Sequence, residues 1–122
     1  MLTCIKNARA ILPLRIEDSL VVLRDGKIEG IHGRLELPPD AQMIDAQGLY
    51  LSPGFIDLHV HGGGGFGVMG CNPAEISAMC RAHALYGTTS ILPTTLAAPI
   101  SLLLRAVNAV KAAKELSKDC NI

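Results

Sequence analysis

Pro53-Gly54-Phe55-Ile56-Asp57-Leu58-His59-Val60-His61-Gly62-Gly63-Gly64-Gly65 decides how the chain is read. Phe55 to Val60 is an apolar run of strand length, and it reads as a buried strand carrying the two histidines. Side chains two apart on a strand share a face, so the imidazoles of His59 and His61 are aimed at one point. Two aligned imidazoles form half of a metal site. The glycines that follow lack Cβ atoms and let the backbone pass close to whatever lies there.

Downstream, Asn72-Pro73-Ala74-Glu75 supplies an N-cap, a proline at the first helical position and an early glutamate, so a helix starts there. Ile76, Met79, Cys80 and His83 recur at helical spacing, and Gly87 suits a left-handed stop. Thr88 to Pro93 reads as the next strand. Pro99 opens a second helix whose buried stripe is expected to be Leu103, Ala106, Val107 and Val110, with Lys111, Lys114 and Lys118 near its C-terminal dipole. Asp119 to Ile122 resembles the approach to a third strand. Strand, helix, strand, helix is the pattern of an α/β chain with a parallel sheet, whose ligand sites lie at the carboxyl ends of the strands. His59 and His61 occupy such an end.

Upstream the pattern is all strand. Ser19 to Arg24 and Lys27 to His32 flank Asp25-Gly26, a two-residue hairpin signal because both turn positions need positive φ. Thr3 to Lys6 is a weaker strand, Leu37-Pro38-Pro39-Asp40 marks a loop, and Met43 to Asp45 and Leu49 to Leu51 are two short strands separated by Gly48.

Composition bounds the function. The chain has 122 residues, 49% of them apolar and 18% charged, which suits one modest domain or part of one and excludes a disordered chain. Its 11 basic and 11 acidic residues are scattered, so no footprint for nucleic acid or an anionic membrane is present. The most apolar segment, Ile100 to Val110, is interrupted by Arg105 and Asn108, and no signal-peptide run opens the chain. A cytoplasmic chain is expected, with no nucleic-acid or membrane partner. Cys4, Cys71, Cys80 and Cys120 contain no Cys-x-x-Cys pair and read as reduced thiols without a function.

Other residues take blander readings. Gly62, Gly64 and Gly67 fit G-x-G-x-x-G, a nucleotide-binding alternative, yet the helix starts only at Pro73, Thr88 to Pro93 ends with no acidic residue for a ribose, and the histidines would crowd a pyrophosphate. Val68 stands where a P-loop needs lysine. His83 reads as a hydrogen-bonded core histidine, His32 as solvent-facing, and Asp57 as a buried hydrogen-bonding group. Thr94 and Thr95 either line a polar pocket or cap a turn.

The run Asp45 to His61 resembles the first barrel strand, and the segment leading into it, of the amidohydrolase superfamily. The glycines Gly62 to Gly65, followed by Tyr86-Gly87-Thr88-Thr89-Ser90-Ile91-Leu92-Pro93-Thr94-Thr95, are similar to its N-acetylglucosamine-6-phosphate deacetylase family in particular. The resemblance implies a TIM-type (β/α)8 barrel joined to a small β-sandwich. Residues 1–52 would be the N-terminal part of the sandwich, and residues 53–122 the first two βα units of an incomplete barrel. It also implies His59 and His61 as ligands of a divalent metal, zinc or iron, with Gly62, Gly63, Gly64 and Gly65 as a loop whose backbone approaches the substrate. No catalytic residue falls within the chain, because the family's carboxylate ligand, later histidines and proton-shuttling aspartate have no counterpart here. The implied reaction is hydrolysis of N-acetylglucosamine 6-phosphate to glucosamine 6-phosphate and acetate, in amino-sugar catabolism. The sugar phosphate would be the partner, the whole enzyme a homo-oligomer, and this N-terminal fragment inactive alone. Another amidohydrolase, dihydroorotase-like or dipeptidase-like, is the alternative chemistry.

Overall fold

A computed structural model describes residues 1–122. The chain is a mixed α/β structure that divides into two compact units, Met1–Pro53 and Gly54–Ile122.

The first unit is a five-stranded sheet of β1 (Leu2–Ile11), β2 (Ile16–Arg24), β3 (Lys27–His32), β4 (Gln42–Asp45) and β5 (Tyr50–Leu51). Its order is β3-β2-β1-β4, with β5 also on β1. The β2–β3 hairpin turns at Asp25 (φ 50°) and Gly26 (φ 78°), the positive-φ pair expected of this dipeptide. β1 is longer than the sequence suggests, because a register shift between Ile5 and Ala8 lets the strand resume beyond Asn7, which adopts φ 55°. β4 and β5 run parallel to β1 in succession, Cys4 opposite Met43 and Arg9 opposite Tyr50. The core of the unit is Cys4, Leu20 and Val22, with Leu2, Leu37 and Ala41 packed against it. His32 is half-buried rather than solvent-facing, since Gly30, two residues earlier on the same face, leaves room for its ring.

At the bulge, Asn7 Nδ2 donates to Asp45 Oδ1 at 2.9 Å, and the Gln47 amide donates to the same oxygen. These bonds, with a smaller effect of nearby Lys6, hold the Asp45 carboxyl below its usual range. A depressed carboxyl pKa contributes stability above its unfolded value, and the contribution disappears as pH falls through the folded one. Asp45→Asn is therefore expected to lower the denaturant midpoint near neutral pH, and the gap from the parent should close below about pH 4. Denaturation curves at several pH values check this, and a gap independent of pH would contradict it.

The second unit contains β6 (Phe55–Val60), β7 (Gly62–Gly63), β8 (Phe66–Gly67), a 3₁₀ turn at Val68–Gly70, α1 (Pro73–Ala84), β9 (Thr88–Pro93) and α2 (Ile100–Leu116). β6 and β9 pair in parallel, with Asp57 opposite Ile91 and Val60 opposite Pro93. Asn121 forms a parallel bridge with Ser90 on β9. α1 starts where the sequence puts it: Asn72 Oδ1 accepts from the Ala74 amide at 3.0 Å, and Pro73 occupies the first turn.

Val60, Val68, Ile76, Met79, Cys80, Ile91, Ala106, Ala109, Ala113 and Cys120 form the core. The packing departs from the sequence pattern in two places. α2 buries Ala106, Ala109 and Ala113, whereas Val107 is 44% exposed; small residues at this spacing let the helix lie close to its neighbours, and the branched side chain turns outward. β6 is not a buried strand, because Phe55, Ile56 and Leu58 are 64%, 68% and 67% exposed. Its one strand partner is β9, and of its side chains only Val60 packs into the core, so the other apolar residues have no layer over them. No helix is long and apolar enough to cross a membrane.

Candidate metal centre

β6 ends at Val60, and the chain turns sharply into the small β7–β8 hairpin. Gly63 faces Phe66 across that hairpin, and Gly64 (φ 61°) and Gly65 (φ 88°) make its two-residue turn. The His61 carbonyl accepts from the Val68 amide at 3.0 Å, which closes the hairpin back onto the histidine.

His59 and His61 emerge together, as the alternation of a strand requires. Their Nε2 atoms are 3.1 Å apart, with ring centroids at 4.8 Å and planes at 87°. His61 Nδ1 lies 2.9 Å from the Thr94 carbonyl, just past β9. A carbonyl only accepts, so Nδ1 carries the proton and Nε2 of the neutral ring presents its lone pair toward His59. His59 is held through its backbone, whose amide donates to Asp57 Oδ1 at 3.0 Å.

This arrangement fits a metal ion. Zinc–nitrogen bonds of about 2.0–2.1 Å in a tetrahedral shell place neighbouring donors roughly 3.3 Å apart, close to the observed separation. The Nδ1–H to carbonyl bond is the outer contact that ligating histidines usually make, and it fixes the tautomer that ligation needs. Both rings are exposed, so the position is open to a small molecule. The chain supplies two nitrogens only, since no group of three or more His, Cys, Asp or Glu side chains comes together in it.

Asp57 does make the structural hydrogen bond expected of it, although it is half-buried rather than buried. Thr94, whose role the sequence leaves open, serves the histidines through its backbone oxygen, while its hydroxyl donates to the Leu92 carbonyl at 3.0 Å. No sequence signal marks this contact, because any residue at position 94 has a carbonyl. His83 is half-buried rather than a core residue, and the hydrogen bond expected of it is made to the glycine run itself, with Nε2 3.2 Å from the Gly62 carbonyl. Burial pushes the Cys80 thiol up to about 11, with nearby Cys120 adding to it, so Cys80 stays protonated at neutral pH. The glycine run does not lead into a helix: β8 and the 3₁₀ turn separate it from α1, so a dinucleotide fingerprint lacks its geometry here.

No protein-family model matches the chain. Among characterised proteins, a dihydroorotase of Anaeromyxobacter sp. (strain K) is 44% identical over 59 residues, 47% of this chain and 14% of that protein. N-acetylgalactosamine-6-phosphate deacetylase of Escherichia coli O157:H7 is 34% identical over 95 residues, 78% of this chain and 24% of that protein. Among solved structures, N-acetylglucosamine-6-phosphate deacetylase from Pasteurella multocida superposes with a TM-score of 0.87 at 27% identity, covering 98% of this chain and 32% of that one. The Mycobacterium smegmatis enzyme of the same name superposes at 0.72 over 98% of this chain and 33% of that one; at 22% identity this is a likeness of fold alone. The chain thus spans about a third of the length of the solved structures it resembles, and less of the relatives.

Proposed function

We propose that the chain is the first part of a metal-dependent amidohydrolase that removes the acetyl group of N-acetylglucosamine 6-phosphate. The observation that carries the metal-dependent part is the convergence of His59 and His61 Nε2 at the carboxyl end of β6, with His61 held in the ligating tautomer by Thr94. The choice of an acetamido sugar phosphate rests on the likeness to the Pasteurella enzyme across nearly the whole chain. In this reading residues 1–52 belong to a small β-sandwich and 53–122 to the first two βα units of a (β/α)8 barrel.

His59 and His61 would hold the ion, zinc or iron, both of which accept imidazole. When bound there, a divalent cation polarises an amide carbonyl and lowers the pKa of water, which is the chemistry that amide hydrolysis near neutral pH requires. The chain's own residues orient. Thr94 fixes the His61 ring, Asp57 fixes the backbone of His59, and the β7–β8 hairpin sets where substrate approaches. Gly65 is the one glycine of the Gly62–Gly65 run with open space where a side chain would stand, so the substrate-facing part of the loop is assigned to its tip. The remaining ligands and the proton-shuttling group belong to the rest of the protein. The proposal keeps a cytoplasmic homo-oligomer with a sugar phosphate as its small-molecule partner.

A second reading, hydrolysis of a cyclic amide, is favoured by the 44% identity to a dihydroorotase over 59 residues. The whole protein, loaded with zinc, should release acetate from N-acetylglucosamine 6-phosphate and leave dihydroorotate untouched. Turnover of dihydroorotate without acetate release would overturn the substrate assignment in favour of the second reading. Residues 1–122 alone should release no acetate, because two imidazoles without further ligands do not hold an ion in catalytic geometry.

A further inference from the structure

The residue directly after His61 is tied to α1 by a side chain that the proposed chemistry does not use. His83, in the last turn of α1, has Nε2 3.2 Å from the Gly62 carbonyl. The carbonyl accepts, so Nε2 is the protonated nitrogen. The same ring fills the space beside Gly63: a Cβ built there would overlap Nε2 and stand 2.9 Å from Cδ2. One residue on, a Cβ on Gly64 would lie 2.6 Å from Ala82 Cβ. Two consecutive residues of α1 therefore press on the loop, and only His83 offers it a hydrogen bond. An apolar side chain could fill that space equally well but could not hold the carbonyl.

Gly62 has no side chain to restrict its own torsions, so freedom at this position would pass directly to His61. The His61 ring is tethered to Thr94 and its carbonyl to Val68. The bond from His83 restrains the next peptide along. We infer that His83 is a positioning residue: by donating to the Gly62 carbonyl it holds the backbone that keeps His61 Nε2 beside His59 Nε2. This rests on the proposed metal role of the histidine pair.

The test uses zinc alone as probe, titrated into the metal-free whole protein against a chromophoric chelator. H83F keeps the ring volume and loses the donor, whereas H83Q keeps an N–H at a comparable reach. H83F should bind zinc roughly tenfold more weakly, the lower end of what losing an outer contact costs a metal site, and H83Q within about threefold of the parent. G63A is a second variant should H83F fold poorly. Gly63 has no positive φ to make alanine strained, so its effect comes from pushing the His83 ring away, and it should also weaken binding. A readout independent of zinc is amide exchange in the metal-free protein, which should quicken at Gly63 to Phe66 in H83F and stay unchanged in H83Q. Parent-like zinc affinity in both H83F and G63A, while the parent protein binds zinc, would overturn the inference and leave the metal assignment standing. A parent protein that binds no zinc at the histidine pair would overturn both.

Discussion

Replacing His59 or His61 by alanine in the whole protein is expected to lower kcat/KM for acetate release by roughly 10³-fold or more, about 4 kcal/mol of transition-state stabilisation. Each ring presents Nε2 to a common point, and the two atoms lie 3.1 Å apart. Removing either one leaves the site a ligand short, so metal content should fall together with activity. The two losses should not add in the double variant, because the first already disables the unit. Both rings are exposed and outside the core, so the folded state should survive either change. Metal analysis beside steady-state kinetics and a melting curve reads all three quantities. Parent-like activity and metal content in either variant would remove the pair from the chemistry.

Ile76→Ala is expected to destabilise the second unit by about 2–5 kcal/mol, the range for deleting a large aliphatic side chain from a packed core. Ile76 is fully buried on α1 within the cluster that includes Val60, Val68, Met79 and Ile91. Such a loss is a large share of the roughly 5–15 kcal/mol that holds a typical domain folded. Val107→Ala on α2 is the paired control. Helical spacing places Val107 on the buried stripe, but it is 44% exposed, and its truncation should cost no more than about 0.5 kcal/mol. Denaturant midpoints for the two variants separate these cases, and equal losses would mean that α2 packs on the face the spacing suggests.

That contrast marks where the sequence is informative. The histidine pair, the Asp25-Gly26 turn and the start of α1 were all readable, because each rests on local chemistry: alternation along a strand, positive φ at two positions, and a side chain capping the next amides. The rotation of α2 was not readable, since apolar residues lie on more than one face and the close packing of alanines is decided by neighbouring elements. The exposure of Phe55, Ile56 and Leu58 was hidden for a similar reason: a run of apolar residues does not say what covers it. The full length of β1 is hidden because Asn7 breaks the apolar pattern while the strand resumes past the bulge. Two contacts that shape the site, Thr94 to His61 and His83 to Gly62, use backbone carbonyls that every residue has. Helical spacing marks His83 as a hydrogen-bonded residue without naming its acceptor, and nothing in the sequence marks the contact from Thr94 to His61.

His59 and His61 are proposed to ligate one ion through their Nε2 atoms. Anomalous scattering from crystals of the zinc-loaded whole protein, recorded on both sides of the zinc edge, locates the ion. A peak is expected about 2.0–2.1 Å from both Nε2 atoms, with His61 Nδ1 still on the Thr94 carbonyl. A zinc peak elsewhere, with the two imidazoles hydrogen-bonded only to each other, would contradict it.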